Sequence, residues 1–447
     1  MLQKIRMQTG GAKAQAEALK QKILNARDIE AFSGKVYYVS QNGDDKNDGL
    51  SPERAIKTHA RVGKLSLKEG DAVLFERGSV FRATDEISLQ SGVTYAAYGV
   101  GEKPRIYGSW RDYADQSIWQ EENKNIWTVK IGAAEPASLI NFNNDEYVGE
   151  WKYTLEEIKT DGDFYYNKEN GVFYLYFSKG NPGKYFNNIE IATTKQPMRI
   201  SQKKDIRIDN LCFKYCTFGA FLIDIVQNIK ITNCEMGWHG GRLFSIRDGR
   251  FIRYGNAIEF WYRCDDIKVE NCWVYQVFDA AMTFQGCNEE YSIFTNIHFD
   301  NNLIEYCSMN IEYWARSKEG FPPPHIANIT YKGNIIRFAG YGWGGIQRDD
   351  KEDQAALLGW FYKYEDLSNF VISDNILDCA DCHMVYMIPH DGLKICGNSY
   401  YQKATTATHV YTQFSKHGGK DTYCQADLEA EVKAVDPEPK HIKWLDY

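Results

Sequence analysis

A short apolar pattern recurs along the second half of the chain and predicts its main architecture. Each copy has two apolar residues around a variable residue, followed by a turn-forming residue. Seven copies occur: IRIDNL (206–211), IKITNC (229–234), IKVENC (267–272), IHFDNN (297–302), ITYKGN (329–334), FVISDN (370–375) and LKICGN (393–398). The shortest interval is about 23 residues, the length of one coil of a parallel β-solenoid. Because one coil cannot bury its own apolar residues, several coils must stack to form a core.

The last position of this pattern predicts a hydrogen-bonded ladder. Equivalent positions of stacked coils lie directly above one another, so an asparagine there can bond to the next coil. Cysteine in the same place is a small apolar filler, so a structural role is expected for it. No histidine spacing indicates zinc, and no metal or other cofactor is expected. The residues at this position are Leu211, Cys234, Cys272, Asn302, Asn334, Asn375 and Asn398.

A second strand in several coils separates into two faces. The segments are AIEFW (257–261), AMTFQ (281–285), NIEYW (310–314) and HMVYM (383–387). Residues two apart on a strand share a face. The predicted core face contains Ile258, Phe260, Met282, Phe284, Ile311, Tyr313, Met384 and Tyr386. The opposite, exposed face then contains a column of Glu259, Thr283 and Glu312 and a column of Trp261, Gln285 and Trp314.

These columns suggest a groove that binds sugar. Indole faces stack on the apolar side of pyranose rings, and carboxyl groups bind hydroxyls or transfer protons. Asp279 precedes the middle strand and is expected between Glu259 and Glu312, which gives three candidate catalytic carboxyls. Glycoside hydrolysis needs two carboxyls, about 5–5.5 Å apart for retention or about 6.5–9.5 Å for inversion. Both outcomes stay open, as does a structural role for the acids as solvated residues on the outer face.

Nearby loops supply further candidate substrate-binding residues. NCEMGWHGGRL (233–243) belongs to the preceding coil, GYGWGGIQRDD (340–350) to a later one, and PPPH (322–325) is a stiff loop. With the exposed columns, these loops give the expected sugar-binding set of Trp238, His239, Arg242, Trp261, Gln285, Trp314, His325, Trp343, Gln347 and Arg348.

The chain is expected to be an all-β solenoid with additions. Residues 1–34 contain a polar helix that is predicted to cap the N-terminal end, and residues 35–107 form the first coils. Residues 108–200 are rich in Trp, Tyr and Asn and form an inserted β-rich segment. Residues 201–402 contain the main solenoid with the groove, and residues 403–447 form a C-terminal tail or cap.

Composition and charge limit the classes of binding partner that are expected. Aromatic residues make up 14% of the chain, and Tyr and Trp are typical of carbohydrate and interface contacts. The net charge is −8 and no basic stripe is present, so neither nucleic acid nor membrane is expected as a partner. With 11 cysteines and no signal-peptide pattern at the N-terminus, the sequence as it stands predicts a cytoplasmic protein; an extracellular one is expected if residue 1 is not the native start. The oligomeric state stays open.

Two stretches resemble a known family. YYVSQNGDDKNDGLSPERAIKT, followed by GDAVLFERGSVFR, resembles the opening of right-handed parallel β-helix proteins of the pectate-lyase-like superfamily. NCEMGWHGG, YGNAIEFW and VENCWVYQVFDAAMTFQ resemble a subgroup from gut bacteria that includes lacto-N-biosidase-type glycoside hydrolases. The resemblance implies two catalytic aspartates close in sequence. Asp279 matches one, whereas the chain has Asn271 and Cys272 a few residues upstream.

Three functions follow from these observations. The first is a glycoside hydrolase that acts on an oligosaccharide or a glycan terminus, with Glu259 or Glu312 as the partner of Asp279. The second is a polysaccharide lyase, in which Arg242, His239 or Arg348 assists proton abstraction beside a uronate carboxylate. The third is a non-catalytic glycan-binding or partner subunit.

Overall fold

The computed structural model describes residues 2–133, 136–286, 291–317, 319–348, 355–360, 364–386, 391–404 and 424–446. Its helices are α1 (Lys13–Leu24), α2 (His59–Val62), α3 (Pro182–Tyr185), α4 (Trp343–Gln347) and α5 (Gln425–Lys433), with 3-10 turns at Pro52–Arg54, Gln116–Ile118 and Leu155–Glu157. The first strands are β1 (Val36–Val39), β2 (Ala72–Glu76), β3 (Val80–Arg82), β4 (Ile87–Ser88), β5 (Thr94–Tyr98) and β6 (Arg105–Tyr107).

The remaining strands are grouped by segment. The inserted segment contains β7 (Gln120–Asn123), β8 (Ile126–Lys130), β9 (Leu139–Phe142), β10 (Tyr147–Val148), β11 (Glu150–Trp151), β12 (Asp163–Asn167), β13 (Val172–Tyr176) and β14 (Ile189–Ala192). The main coils begin with β15 (Met198–Asp209), β16 (Cys212–Cys216), β17 (Phe221–Thr232), β18 (Glu235–His239), β19 (Arg242–Arg247), β20 (Arg250–Tyr254), β21 (Ile258–Glu270), β22 (Trp273–Val277), β23 (Ala280–Gln285) and β24 (Ile293–Asp300). They continue with β25 (Leu303–Glu305), β26 (Met309–Trp314), β27 (His325–Lys332), β28 (Ile335–Ala339), β29 (Ala356–Trp360), β30 (Asp366–Ser373), β31 (Ile376–Ala380), β32 (His383–Tyr386), β33 (Leu393–Cys396), β34 (Ser399–Lys403) and β35 (His441–Leu445).

Two stacks of parallel strands build a β-helix, as the sequence predicts. A 15-stranded sheet, called here the long sheet, has the order β1-β2-β5-β15-β17-β21-β23-β26-β29-β32, and β24, β27, β30 and β33 continue it beyond a corner. A ten-stranded sheet has the order β3-β6-β16-β18-β22-β25-β28-β31-β34-β35. β21 turns the corner within one strand, because β23 pairs with its first residues and β24 with its last. Each coil of this region therefore has three sides.

The predicted asparagine ladder runs through the stack. Asn302 Oδ1 accepts from Cys272 N, and Asn334 Oδ1 accepts from Asn302 N, each at 2.9 Å. The series continues through Asn375 and Asn398 with the same geometry. It ends at the buried Asp436 carboxylate, which accepts from Asn398 N at 3.0 Å. Cys234 and Cys272 are buried free thiols in the same column, in agreement with a structural role.

The interior is filled by aromatic residues in register. Phe260, Phe284, Tyr313 and Trp360 occupy the same row of successive long-sheet strands. Their ring centroids are separated by 5.3, 4.5 and 5.8 Å, and each pair is stacked. Such contacts are worth about 0.5–1.5 kcal/mol each beyond the burial of apolar area. These stacked rings therefore fix the register of the coils from inside.

The two ends of the chain pack differently. The N-terminal helix α1 is present, but it lies along the outer face of the ten-stranded sheet, where Ala16 and Ile23 contact Leu303 and Ile335. The prediction that it caps the solenoid end is wrong in position, because its small apolar stripe matches apolar residues at the starts of those strands. At the other end, α5 buries Leu428 and Val432 in the main core. Of the predicted tail, residues 405–423 lie outside the described residues.

The inserted segment has a hydrophobic core of its own. Its strands form a five-stranded sheet, β11-β12-β13-β8-β7, and a three-stranded sheet, β10-β9-β14. Phe142, Phe164 and Phe173 are fully buried between them. The hairpin β19–β20, which interrupts the main coils, joins this unit because Leu243 packs against the same core.

Candidate active site

The long sheet places Glu259, Thr283 and Glu312 in one column, as predicted. β21, β23 and β26 are neighbouring parallel strands, and their register pairs Glu259 with Thr283 and Thr283 with Glu312. Since neighbouring strands lie about 4.8 Å apart, the two glutamate backbones are separated by about 9–10 Å. The next row on the same face contains Trp261, Gln285 and Trp314.

The register of β32, which contains the fourth of the predicted segments, differs by one residue from the sequence alignment. Tyr386 pairs with Gly359, which pairs with Glu312, so Tyr386 extends the carboxyl column. Met384 is buried in the main core, as expected, but the expected register is wrong, because Val385 takes the core row and Tyr386 lies in the row of Glu312. Both Met384 and Val385 are apolar, so the hydrophobic pattern fits either register.

All three carboxyl groups are buried, contrary to the expectation of an exposed face. Glu259 is 3% exposed, Asp279 6% and Glu312 7%. The hairpin β19–β20 brings Tyr254 near them, and the residue after α4, Arg348, pairs with Asp279. These elements cover the coil face at this point. The interpretation of the acids as solvated outer-face residues is therefore wrong.

Glu259 is held by a neighbouring amide. Asn256 Nδ2 donates to Glu259 Oε1 at 3.2 Å, while Asn256 Oδ1 accepts from Ala280 N at 2.9 Å. The pKa of Glu259 is raised to about 7, chiefly by burial. Hydrogen bonds from the Trp261 indole and Asn256 oppose this rise, and the Asp279 charge adds to it. Asn256 and Trp261 therefore hold the Glu259 carboxyl group in the column that Thr283 continues.

Glu312 has two donors on one oxygen. Thr283 Oγ1 donates to Glu312 Oε2 at 2.6 Å, and Gln285 Nε2 donates to the same oxygen at 3.0 Å. Gln285 also donates to Thr283 Oγ1 at 2.8 Å, which orients the hydroxyl towards the carboxyl group. Burial and then the Asp279 charge raise the pKa of Glu312 to about 8. At neutral pH this carboxyl group therefore carries a proton, and Oε1 is the oxygen without these donors.

Asp279 forms an ion pair with Arg348. The guanidinium contacts Asp279 Oδ1, and both side chains are nearly buried. A buried carboxylate beside a permanent cation keeps its charge. The site thus combines an ionised aspartate with two carboxyl groups that hold their protons to higher pH. This difference in protonation is the arrangement that general acid–base chemistry requires.

A buried contact fixes the position of Arg348. Trp343, at the start of α4, donates from its indole to Gln276 O at 2.8 Å, and its backbone N–H donates to Gln276 Oε1 at 3.0 Å. Its ring also packs edge-on against Phe278. Gln276 and Phe278 come three residues and one residue before Asp279, so α4 is attached to the end of β22 and the turn that carries the carboxylate.

Tyr254 was not identified from the sequence. Burial raises the pKa of Tyr254, and the Asp279 and Glu259 charges raise it further. The Arg247 and Arg242 charges lower it, so the hydroxyl interacts electrostatically with both the acids and the hairpin arginines. The only sequence signal was its place in YGNAIEFW, just before the carboxyl strand. Its proximity to Asp279 depends on how the hairpin folds back.

Several predicted sugar-binding residues are buried inside the fold. Trp238 and His239 lie in the ten-stranded sheet, and burial lowers the pKa of His239 to about 3. Trp343 anchors α4, and Gln347 donates to Gly149 O at 2.8 Å. A role in substrate binding stays a prediction for these four, and each has a packing role that accounts for its position.

The remaining predicted residues lie nearer the surface. Trp261 and Trp314 are partly exposed in the row beside the carboxyl column. Arg242 pairs with Tyr254 across the hairpin. His325 lies in the part of the long sheet beyond the corner, and its Nδ1 is 2.8 Å from Asp366 Oδ2. His325 is therefore in a different row from the carboxyl groups.

Within the described residues, no three His, Cys, Asp or Glu side chains are grouped in a way that could hold a metal ion. Among the helices of the described chain, none has the length and apolar character needed to cross a membrane.

Comparison with known proteins concerns the fold. Neither the family models nor the curated protein sequences give a match. Among solved structures, XylC in complex with xylose is similar with a TM-score of 0.50 and 12% identity, over 85% of this chain and 71% of that chain. GH136 lacto-N-biosidase from Eubacterium ramulus gives 0.41 and 13%, over 92% and 68%, and pectate lyase Pel9A gives 0.39 and 10%, over 86% and 79%. The first similarity agrees with the parallel β-helix seen here.

Proposed function

We propose that the protein is a glycoside hydrolase that acts on an oligosaccharide or a glycan terminus. The observation that carries the proposal is the set of three buried carboxyl groups on adjacent coils, one paired with arginine and two with raised pKa values. Glycosidic bond cleavage uses one protonated and one ionised carboxyl group. The XylC structure contains xylose, so a carbohydrate is the ligand class to test first.

The proposed roles follow from protonation. Glu312 is the general acid, because its proton is retained to about pH 8 and can pass to the leaving oxygen. Asp279 is the ionised partner, either as base for a water molecule or as nucleophile. Glu259 donates its proton in a hydrogen bond to a sugar oxygen. The partly exposed Trp261 and Trp314 provide ring faces for neighbouring sugar units.

The first experiment measures glycosidic cleavage over panels of oligosaccharides and aryl glycosides. Asp279→Asn and Glu312→Gln should each lower kcat by about a hundredfold or more, and Glu259→Gln should have a smaller effect on kcat. Glu235→Gln is a matched control, because Glu235 is a largely buried carboxyl group hydrogen-bonded to Tyr275 in the ten-stranded sheet. Activity that survives all three site variants would refute the assignment.

The products separate the other functions. A lyase leaves an unsaturated uronate that absorbs in the ultraviolet, whereas a hydrolase releases a reducing end without that chromophore. Tight glycan binding without turnover across the panels would instead indicate a binding subunit.

A further inference from the structure

The hairpin β19–β20 has two chemically different faces. Directly paired residues of an antiparallel hairpin point to the same side, and the sides alternate along each strand. Arg242 pairs with Tyr254, and Arg247 pairs with Arg250 on that same side. Leu243, Arg253 and Phe251 point to the other side. The first side is called here the arginine face.

The side opposite the arginine face is bound to the inserted segment. The Phe251 ring stacks on Tyr153 at 3.5 Å with an interplanar angle of 5°. The Arg253 guanidinium lies 4.8 Å from the Trp151 ring, and Leu243 packs against the inserted core. These contacts hold the hairpin in place, so the arginine face is presented in one orientation.

The arginine face lies next to the carboxyl groups. Burial raises the pKa of Tyr254, the Asp279 and Glu259 charges raise it further, and the Arg247 and Arg242 charges lower it, so its hydroxyl lies within electrostatic range of both groups. Phe244 lies at the irregular position of the hairpin, and its ring is 4.7 Å from Tyr254. Phe244 is 57% exposed. A large apolar side chain that is exposed next to a polar site is typical of a ligand-binding surface.

Two arginines at the hairpin tip are charged neighbours without a counter-ion pair. Arg247 and Arg250 are directly opposite each other across the turn, both are exposed, and neither forms an ion pair with a described residue. Like charges opposite each other on paired strands are unfavourable. Asp248 lies between them in the turn, where its backbone has φ of 51°. An anion bridging the two guanidinium groups would relieve the repulsion.

We propose that the arginine face binds an anionic unit of the glycan, with Arg247 and Arg250 on a carboxylate or sulfate group and Phe244 and Tyr254 against the sugar ring. Guanidinium groups match both anions with paired hydrogen bonds, and aromatic rings stack on the apolar face of a sugar. The choice of a glycan rests on the proposed function. The neighbouring site does not repel such a unit at pH 6, since Glu259 and Glu312 are then largely protonated and Asp279 is paired with Arg348.

The test compares binding of matched oligosaccharides that differ only in one charged group. The ligands are a uronate-containing and a sulfated oligosaccharide, each with its neutral counterpart, titrated calorimetrically into full-length Glu312→Gln at pH 6 and low salt. The anionic ligand of at least one pair should bind about tenfold tighter than its neutral counterpart. The double variant Arg247→Gln/Arg250→Gln should remove that difference and leave the neutral ligand unchanged. The uronate and sulfate arms distinguish the two anions.

A control variant separates local recognition from net charge. Arg54→Gln/Arg111→Gln removes two exposed arginines elsewhere, each from an exposed ion pair, and should leave the preference intact. Equal binding of charged and neutral ligands, equal losses in the two double variants, or no binding by any ligand would overturn the proposal. Wild-type cleavage is scored separately: binding preference without cleavage refutes the hydrolase and supports the arginine face.

Discussion

The Arg348 guanidinium is paired with the Asp279 carboxylate, and the Asp279 charge in turn raises the pKa of Glu312. The ion pair therefore acts on Glu312 in two opposite ways. The Asp279 charge raises the pKa of Glu312, the Arg348 charge lowers it by less, and burial makes the largest contribution to the rise. The elements involved are α4 and two neighbouring strands of the long sheet, which come from separate coils.

The first prediction concerns the pH dependence of cleavage. If protonated Glu312 is the general acid, kcat/KM should fall tenfold per pH unit above about pH 8, where Glu312 loses its proton. In Glu259→Gln this alkaline limb should move to lower pH, because the Glu259 charge raises the pKa of Glu312. The profile should be measured from pH 5 to 10. An alkaline limb near pH 4.5, or one at the same pH in the wild type and in Glu259→Gln, would exclude Glu312 as the acid.

The second prediction concerns Arg348. Arg348→Gln leaves Asp279 buried without its counter-charge, which should destabilise the fold by about 3–5 kcal/mol and lower kcat/KM by about a hundredfold or more. Arg348→Lys keeps the charge without the paired geometry, so its losses should be smaller. Arg337→Gln serves as a control, because Arg337 lies near Asp378 and Glu305 in the ten-stranded sheet. It should lower stability without a matching loss of rate in the protein that remains folded.

The third prediction links Glu312 to stability. Its pKa is raised in the folded protein from an ordinary 4.5 to about 8, so between these values the folded state holds a proton that the unfolded state has released. The free energy of unfolding should therefore decrease as pH rises from about 5 to 8, by up to about 5 kcal/mol from this group. Glu312→Gln should flatten that decrease in denaturant titrations. An unchanged slope in Glu312→Gln would show that the proton is not held in the fold.

The sequence predicts the coil architecture because its signal is local and repeated. Each coil contains the same alternation, so the column of Glu259, Thr283 and Glu312 follows from aligning similar strands. The asparagine ladder follows in the same way from Asn302 and its equivalents. The alignment becomes ambiguous where adjacent residues are both apolar, which is why the strand of Tyr386 was placed one residue out.

The covering of the site could not be predicted in the same way. Arg348 reaches Asp279 from 69 positions further along the chain, and nothing in either segment encodes the partner. The position of Tyr254 depends on the Phe251–Tyr153 stack, which joins a hairpin to a separately folded insertion. Exposure of Glu259 was inferred from its strand face alone. Long-range packing, which has no period in the sequence, turned that face into a buried site.

The last prediction concerns how much the buried asparagine ladder contributes to the free energy of unfolding, and it compares two nearby asparagines. Asn334 is fully buried, and its side chain accepts from Asn302 N and donates to Phe299 O at 2.7 Å. Asn334→Ala leaves both groups buried without these partners and should cost about 3–5 kcal/mol of unfolding free energy. Asn328 forms a similar but exposed bond to Asn296, at a backbone φ of 57° that glycine also adopts. Asn328→Gly should therefore cost less than about 1 kcal/mol. Equal losses in chemical denaturation would show that burial of the ladder does not determine its contribution.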